Sequence, residues 1–152
     1  MSWERIRPLT IGVPRREHEI FVSELYDPSD DKQFYRPIGG GIEFGEYSTD
    51  ALVREFQEEL EIEVEVSDYL GTIENVFTFD DSPGHEVVLV YEIAVPDVLY
   101  DTPYLEGYDD GGITYTAEWK PLSVFEQGNV PLYPTGLFTL LTEDTEHVIP
   151  PE

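Results

Sequence analysis

Three glutamates, Glu55, Glu58 and Glu59, stand at spacings that a helix would gather on one side. At about 100° of turn per residue, positions i, i+3 and i+4 fall within roughly a 100° arc. Carboxylates crowded in this way repel one another unless positive charge sits among them. Hard divalent cations such as Mg²⁺ prefer oxygen ligands, and they bind through a few carboxylates together with substrate phosphates. Just upstream, Gly39, Gly40 and Gly41 let backbone approach a ligand closely, and a carbonyl there could complete a metal's oxygen shell. The chemistry suggested is a metal-dependent site for a phosphate-bearing ligand. Each part alone has a plainer meaning: a solvated acidic helix face, and a tight turn between a strand and a loop.

The elements needed to position these groups can be read on either side of them. Leu52, Phe56 and Leu60 recur every four residues and predict the buried stripe of a helix lying against a sheet. Ser48 stands where an N-cap hydroxyl could satisfy free backbone N–H groups, and Asp50 falls in the first turn, where negative charge suits the helix dipole. Ala51, one turn before Glu55, leaves room beside the acidic face, and Arg54 is one turn from Glu58 and able to pair with it.

Ahead of the helix, residues 9–13 and 19–25 read as paired strands around Pro14-Arg15-Arg16, and Asp27 to Asp31 as a polar loop. Phe34 to Ile38 is a short extended segment, favoured at Arg36 by the proline that follows. Beyond the helix, Val64 to Phe79 is extended with a break near Gly71. His85 to Val95, apolar on both faces at VVLVY, reads as a central strand. Asp97 to Gly112 reads as an exposed loop, Thr114 to Lys120 as a strand with Trp119 half-buried, and residues 135–141 as a closing helix. Strands with one helix in the middle and one at the end fit an α/β (α+β) layered domain, one unit over residues 1–152.

Composition narrows the function classes. Thirty-three acidic residues against eight basic ones give a net charge of -25, and Lys32 and Lys120 are the only lysines. Such a surface repels itself at low salt, while at molar salt the Debye length falls to about 3 Å and the repulsion is screened. The pattern suits a salt-rich cytoplasm, as in halophiles. No basic patch offers itself to a phosphate backbone, so nucleic acid is not an expected partner. The absence of cysteine excludes disulfides and thiolate zinc sites. No apolar run approaches the ~20 residues of a membrane span and no leader pattern opens the chain, so a cytoplasmic protein is expected, with a homodimer allowed.

In order, the segment reads Gly40, five residues, Glu46, seven residues, Arg54-Glu55-Phe56-Gln57-Glu58-Glu59, one residue, Glu61, Ile62. This resembles the signature box of the Nudix hydrolases (MutT-like), G-x5-E-x7-R-E-U-x-E-E-x-G-U, at every position except Glu61, where the family has glycine. The resemblance implies the Nudix fold, a mixed β-sheet sandwiched between α-helices. It also implies a Mg²⁺ (or Mn²⁺) site in which Glu58 and Glu59 bind the metal with the carbonyl of Gly39. Glu55 would be a further metal ligand or the base that activates water, and Arg54 and Glu46 would hold the glutamates in place. Some members take the base from a downstream segment, and here Glu86, Glu92, Glu106 and Glu118 are candidates. The glycine expected at position 61 commonly ends the helix in a left-handed conformation, which costs a glutamate about 1–2 kcal/mol. Either the helix ends differently or the strain is carried.

The activity implied is hydrolysis of the pyrophosphate linkage of a nucleoside diphosphate joined to another moiety: a nucleoside triphosphate, ADP-ribose, a nucleotide sugar or a similar small molecule. The SQPWPxS array of NADH-cleaving members is missing, and Thr78 stands where ADP-ribose enzymes carry a proline. Arg36, Gly40 and Gly41 are candidates for holding substrate phosphate. Tyr35, Phe77 and Tyr104 are weaker candidates for stacking on a base, and His85 reads as an edge histidine. The alternative is a non-catalytic nucleotide-binding or sensor module of the same fold. It would usually have lost the paired glutamates, which are present here. A prenyl-diphosphate isomerase of this fold would call for a reactive cysteine that the chain lacks.

Overall fold

The apolar and β-branched runs become strands, in a computed structural model that describes residues 4–28, 31–79, 81–109, 111–127 and 130–150. One sheet contains β1 (Arg7–Val13), β5 (Ile38–Gly41), β6 (Glu65–Phe79), β7 (Ser82–Ala94) and β10 (His147–Val148), in the order β10-β6-β7-β1-β5. It is mixed: β1 runs parallel to β7 and β10 parallel to β6, while β1–β5 and β6–β7 are antiparallel. The other contains β2 (Arg15–Arg16), β3 (Glu19–Asp27), β4 (Lys32–Arg36), β8 (Tyr104–Tyr108) and β9 (Thr114–Pro121), in the order β2-β3-β9-β8 with β4 paired to β3.

Three α-helices, α1 (Ser48–Leu60), α2 (Asp97–Tyr100) and α3 (Leu137–Thr142), and a 3-10 turn over Leu122–Phe125 complete the described chain. Alternation along β7 sends Tyr91 and Ile93 to one face and Val88 and Val90 to the other. Leu52, Phe56 and Leu60 of α1 pack in the first of these layers with Phe21 and Trp119. Leu137 and Leu140 of α3 pack in the second with Ile11 and Val13. The sheet therefore lies between helices, as expected. Gly12 permits the close seat of α1 on β1, because a Cβ there would stand 2.9 Å from the Phe56 ring.

Several local expectations need correction. Strands β1 and β3, expected to pair with each other, lie in different sheets, β1 between β7 and β5 and β3 between β2 and β9. Asp97 to Gly112 is not simply an exposed loop; it contains α2 and β8, because Leu99 and Gly107 turn inward and are buried. The tyrosines that made the stretch look exposed, Tyr104 and Tyr108, occupy the outer face of β8. Trp119 is buried rather than half-buried, stacked on Tyr100, with its Nε1 donating to the Leu99 carbonyl at 3.0 Å. Gly71, with φ of 149°, does not end β6 but sits at a register shift within it. The polar stretch at 27–31 begins inside β3, and its residues 29 and 30 lie outside the described residues. The closing helix covers 137–142 rather than 135–141, with Gly136 at its N-cap.

The two ends of α1 also differ from expectation. Tyr47, not Ser48, occupies the N-cap position and contributes no side-chain cap bond. Ser48 is already helical, and its hydroxyl shares a 2.6 Å hydrogen bond with the Tyr91 hydroxyl on the sheet. At the other end the helix stops as a glycine would stop it: Glu61 adopts φ 57°, ψ 38°. Its N–H donates to the Gln57 carbonyl at 3.0 Å, the single bond of the αL C-terminal motif, and the Ile62 N–H reaches back to the Phe56 carbonyl at 3.4 Å. The strain is carried by the glutamate, whose charge also meets the negative end of the helix dipole. Glu61→Gly should therefore stabilise the fold by about 1 kcal/mol, the left-handed penalty less the entropy of a freer unfolded chain. Denaturant unfolding of both proteins in the same salt reads this directly, and an unchanged or lower midpoint would show that the turn costs glutamate nothing.

Candidate active site

Arg54 lies at the centre of the acidic helix face, a quarter exposed, with all five of its N–H donors directed. Nε donates to Glu46 Oε2 at 2.8 Å, and Nη2 to Glu46 Oε1 at 2.9 Å, a two-pronged pairing. Nη2 also donates to the Gly41 carbonyl at 3.1 Å, while Nη1 reaches Glu55 Oε1 at 3.0 Å and Glu58 Oε2 at 3.3 Å. The i, i+4 pair with Glu58 read from the sequence is thus present, as one contact of five. Glu46 additionally accepts from the Glu43 N–H at 3.1 Å, closing the loop between β5 and α1.

The glycines serve this cluster by being small, with no left-handed backbone at 39–41. A Cβ on Gly40 would lie 2.5 Å from the Glu55 carboxylate, so the missing side chain is what lets the buried Glu55 lie against β5. A Cβ on Gly39 would collide with the Thr10 carbonyl oxygen across the β1–β5 pair. Gly41 has open space where a Cβ would stand, and its carbonyl is engaged by Arg54.

Glu59 is held from another element. Its Oε1 accepts a 2.7 Å hydrogen bond from the Tyr115 hydroxyl on β9, and both residues are buried. Tyr115 was missed in the sequence, although it alternates with Ala117 and Trp119 on the inward face of its strand. A buried tyrosine hydroxyl needs a partner, and that was the available signal. The three helix glutamates end differently: Glu55 and Glu59 are buried, whereas the Glu58 side chain is about half exposed. Among the described residues, no three carboxylates or histidines converge into a ready-made metal cage. The donor set is nonetheless all oxygen, as a hard cation requires, and Gly40 leaves Glu55 a cradle against the strand.

The charges follow from these contacts. Arg54, then the Glu43 N–H, hold the Glu46 carboxyl down at about 2, and the hydrogen bond from Arg54 to Glu46 is the largest reason the guanidinium is shifted upward. Burial, then the bond to Glu59, pushes the Tyr115 phenol up. Among the downstream carboxylates, Glu86 is pushed up by burial, opposed by Arg7 and Arg36. Glu92 pairs with Arg15 at 3.3 Å and Glu118 with Lys120 at 3.3 Å, while Glu106 lies exposed on the outer side of β8. Arg36 is exposed at the end of β4, and its charge opposes the upward shifts of both Glu86 and Tyr115.

The aromatic candidates are dispersed. Tyr35 is buried edge-on to Phe125, Tyr104 faces outward, and Phe77 packs its ring against Gly84. His85 lines a shallow cleft with Arg5 and Pro83 at the β6–β7 hairpin, apart from the glutamates.

A pH dependence follows from Glu46. A carboxyl depressed in the fold contributes stability above its ordinary value near 4.5, and loses it as pH falls through about 2. Glu46→Gln should therefore be less stable than the natural chain at neutral pH, and the gap should close between pH 4.5 and 2. Paired unfolding curves across that window measure it; a gap independent of pH would place the stabilisation elsewhere.

Residues 7–130 match the family model of the NUDIX domain. Among solved structures, a MutT NUDIX hydrolase from Burkholderia pseudomallei is similar at a TM-score of 0.59 and 20% identity, over 79% of this chain and 86% of that one. An ADP-ribose pyrophosphatase from Streptococcus suis 89-1591 is similar at 0.55 and 14%, over 94% and 98%. The E. coli ORF135 protein is similar at 0.55 and 19%, over 91% and 87%. At such identities the likeness speaks for the fold. No curated protein matches the chain in sequence. With that model spanning residues 7–130 and the mixed sheet between helices in place, the chain belongs to the NUDIX domain family.

Proposed function

We propose that the protein is a metal-dependent pyrophosphohydrolase acting on a nucleoside diphosphate linked to another moiety. The observation that carries this is the Arg54 cluster: one guanidinium holding Glu46, Glu55, Glu58 and the Gly41 carbonyl together beside a glycine strand. A solvated acidic face has no need of so saturated a cation, nor of a glycine cradle under Glu55. The hydrolase names borne by the Burkholderia and Streptococcus structures support the reading without choosing a substrate between them.

Glu58 and Glu59, with the Gly39 carbonyl, would hold Mg²⁺ or Mn²⁺, with Glu55 a further ligand if it is not the base. When bound, the cation supplies charge to offset the diphosphate's and lowers the pKa of bound water. Glu55, buried and steadied by Arg54, is the favoured base for the water that attacks phosphorus in line as the bridging P–O bond breaks. Glu86 is the stronger downstream alternative, because burial raises its carboxyl toward the range where a base works near neutral pH. Arg36 and the N–H groups of Gly40 and Gly41 would orient substrate phosphate. The acidic surface is read as suited to high salt inside the cell; none of the described helices is long and apolar enough to cross a membrane.

The test is release of phosphates from a panel of nucleoside diphosphate derivatives in molar KCl with Mg²⁺ or Mn²⁺. Turnover should require the metal, and Glu58→Gln or Glu59→Gln should lower it at least about 100-fold, above the loss typical of outer partners of metal ligands. Folded protein that binds these ligands without cleaving them would identify a sensor module instead.

A further inference from the structure

We propose that Tyr115 is a positioning residue for Glu59, fixing the rotamer in which its carboxylate is presented to the metal. This rests on the metal-dependent reading above. Among the described contacts, Arg54 reaches Glu46, Glu55 and Glu58, all on or next to its own helix, and Glu59 is met from across the core by Tyr115. The acidic face of α1 is therefore registered to β5 through Arg54 and the Gly41 carbonyl, and to the β8–β9 hairpin through Tyr115.

The hairpin is shaped for this contact. Gly107 pairs with Tyr115 across β8 and β9, and a Cβ on Gly107 would stand 2.7 Å from the tyrosine Cζ and 2.8 Å from its hydroxyl oxygen. It would also stand 2.7 Å from Leu60, the residue after Glu59. Glycine there has an ordinary negative φ, so space rather than backbone freedom is what the position requires. The ring of Tyr115 is packed in the layer of Leu52, Phe56 and Trp119, which leaves the hydroxyl little freedom to move away. A hydrogen bond to a carboxylate fixes its rotamer, and an outer partner of this kind typically changes metal affinity 10- to 100-fold when removed.

The experiment measures Mn²⁺ affinity without substrate, from the electron paramagnetic resonance signal of free Mn²⁺, for the natural chain and four variants. Tyr115→Phe keeps the ring and removes the donor, and should weaken Mn²⁺ binding by about tenfold or more. Gly107→Ala should act in the same direction by pushing the hydroxyl aside, and it stands in should Tyr115→Phe not fold. Trp119→Phe removes a buried hydrogen bond from the same strand without touching Glu59, and should leave the affinity within about twofold. Unchanged binding in Tyr115→Phe, or equal weakening in Trp119→Phe, would overturn the positioning role. Glu59→Gln separates the two levels. If it binds Mn²⁺ as the natural chain does, the metal reading itself fails and Tyr115 falls with it. If it binds weakly while Tyr115→Phe binds normally, only the inference about Tyr115 fails.

Discussion

The arrangement of the acidic helix depends on one cation. Arg54 places its single charge among three carboxylates and a carbonyl, and no donor is left over. In a chain with a net charge of -25 and eight basic residues, that is a costly use of positive charge unless it organises something. A lysine could not replace it, since an ammonium offers a point charge where the two-pronged grip on Glu46 needs a planar fork. The guanidinium is mostly sheltered, so molar salt, which screens exposed pairs, weakens it less.

Everything beneath the cluster keeps that fork in register. Leu52, Phe56 and Leu60 fix the rotation of α1, Gly12 sets its distance from β1, and Gly40 lets Glu55 meet β5 without a side chain between them. The Gly41 carbonyl ties the guanidinium to the strand, and the Glu43–Glu46 contact ties the connecting loop to the guanidinium. Tyr115 adds the second sheet. A displacement of the helix on the sheet would be felt by several carboxylates together.

Legibility followed the range of the interactions. Periodicity announced α1 and its buried stripe, apolar runs announced the strands, and the spacing of Glu46, Arg54, Glu55, Glu58 and Glu59 announced a family, because local spacing encodes all of these. What could not be read was set by partners distant in the chain. Ser48 has a capping residue's chemistry, but Tyr91 on β7 claims its hydroxyl. The 97–112 stretch looks polar because the outer face of β8 is polar, while the inner face carries a glycine that only contact with Tyr115 and Leu60 explains. At position 61 two outcomes were open, and the backbone chose strain. Tyr115 lies 56 residues from Glu59, and nothing near either residue names the other.

The most direct test is a crystal of the natural chain soaked in Mn²⁺ and measured at the manganese absorption edge. The account predicts an anomalous peak against the carboxylates of α1, with Glu58 and Glu59 among its ligands, the Gly39 carbonyl nearby, and Arg54 still bound to Glu46. A map with no peak there, or one whose strongest peak lies on another acidic surface while the helix glutamates stay bare, would contradict it.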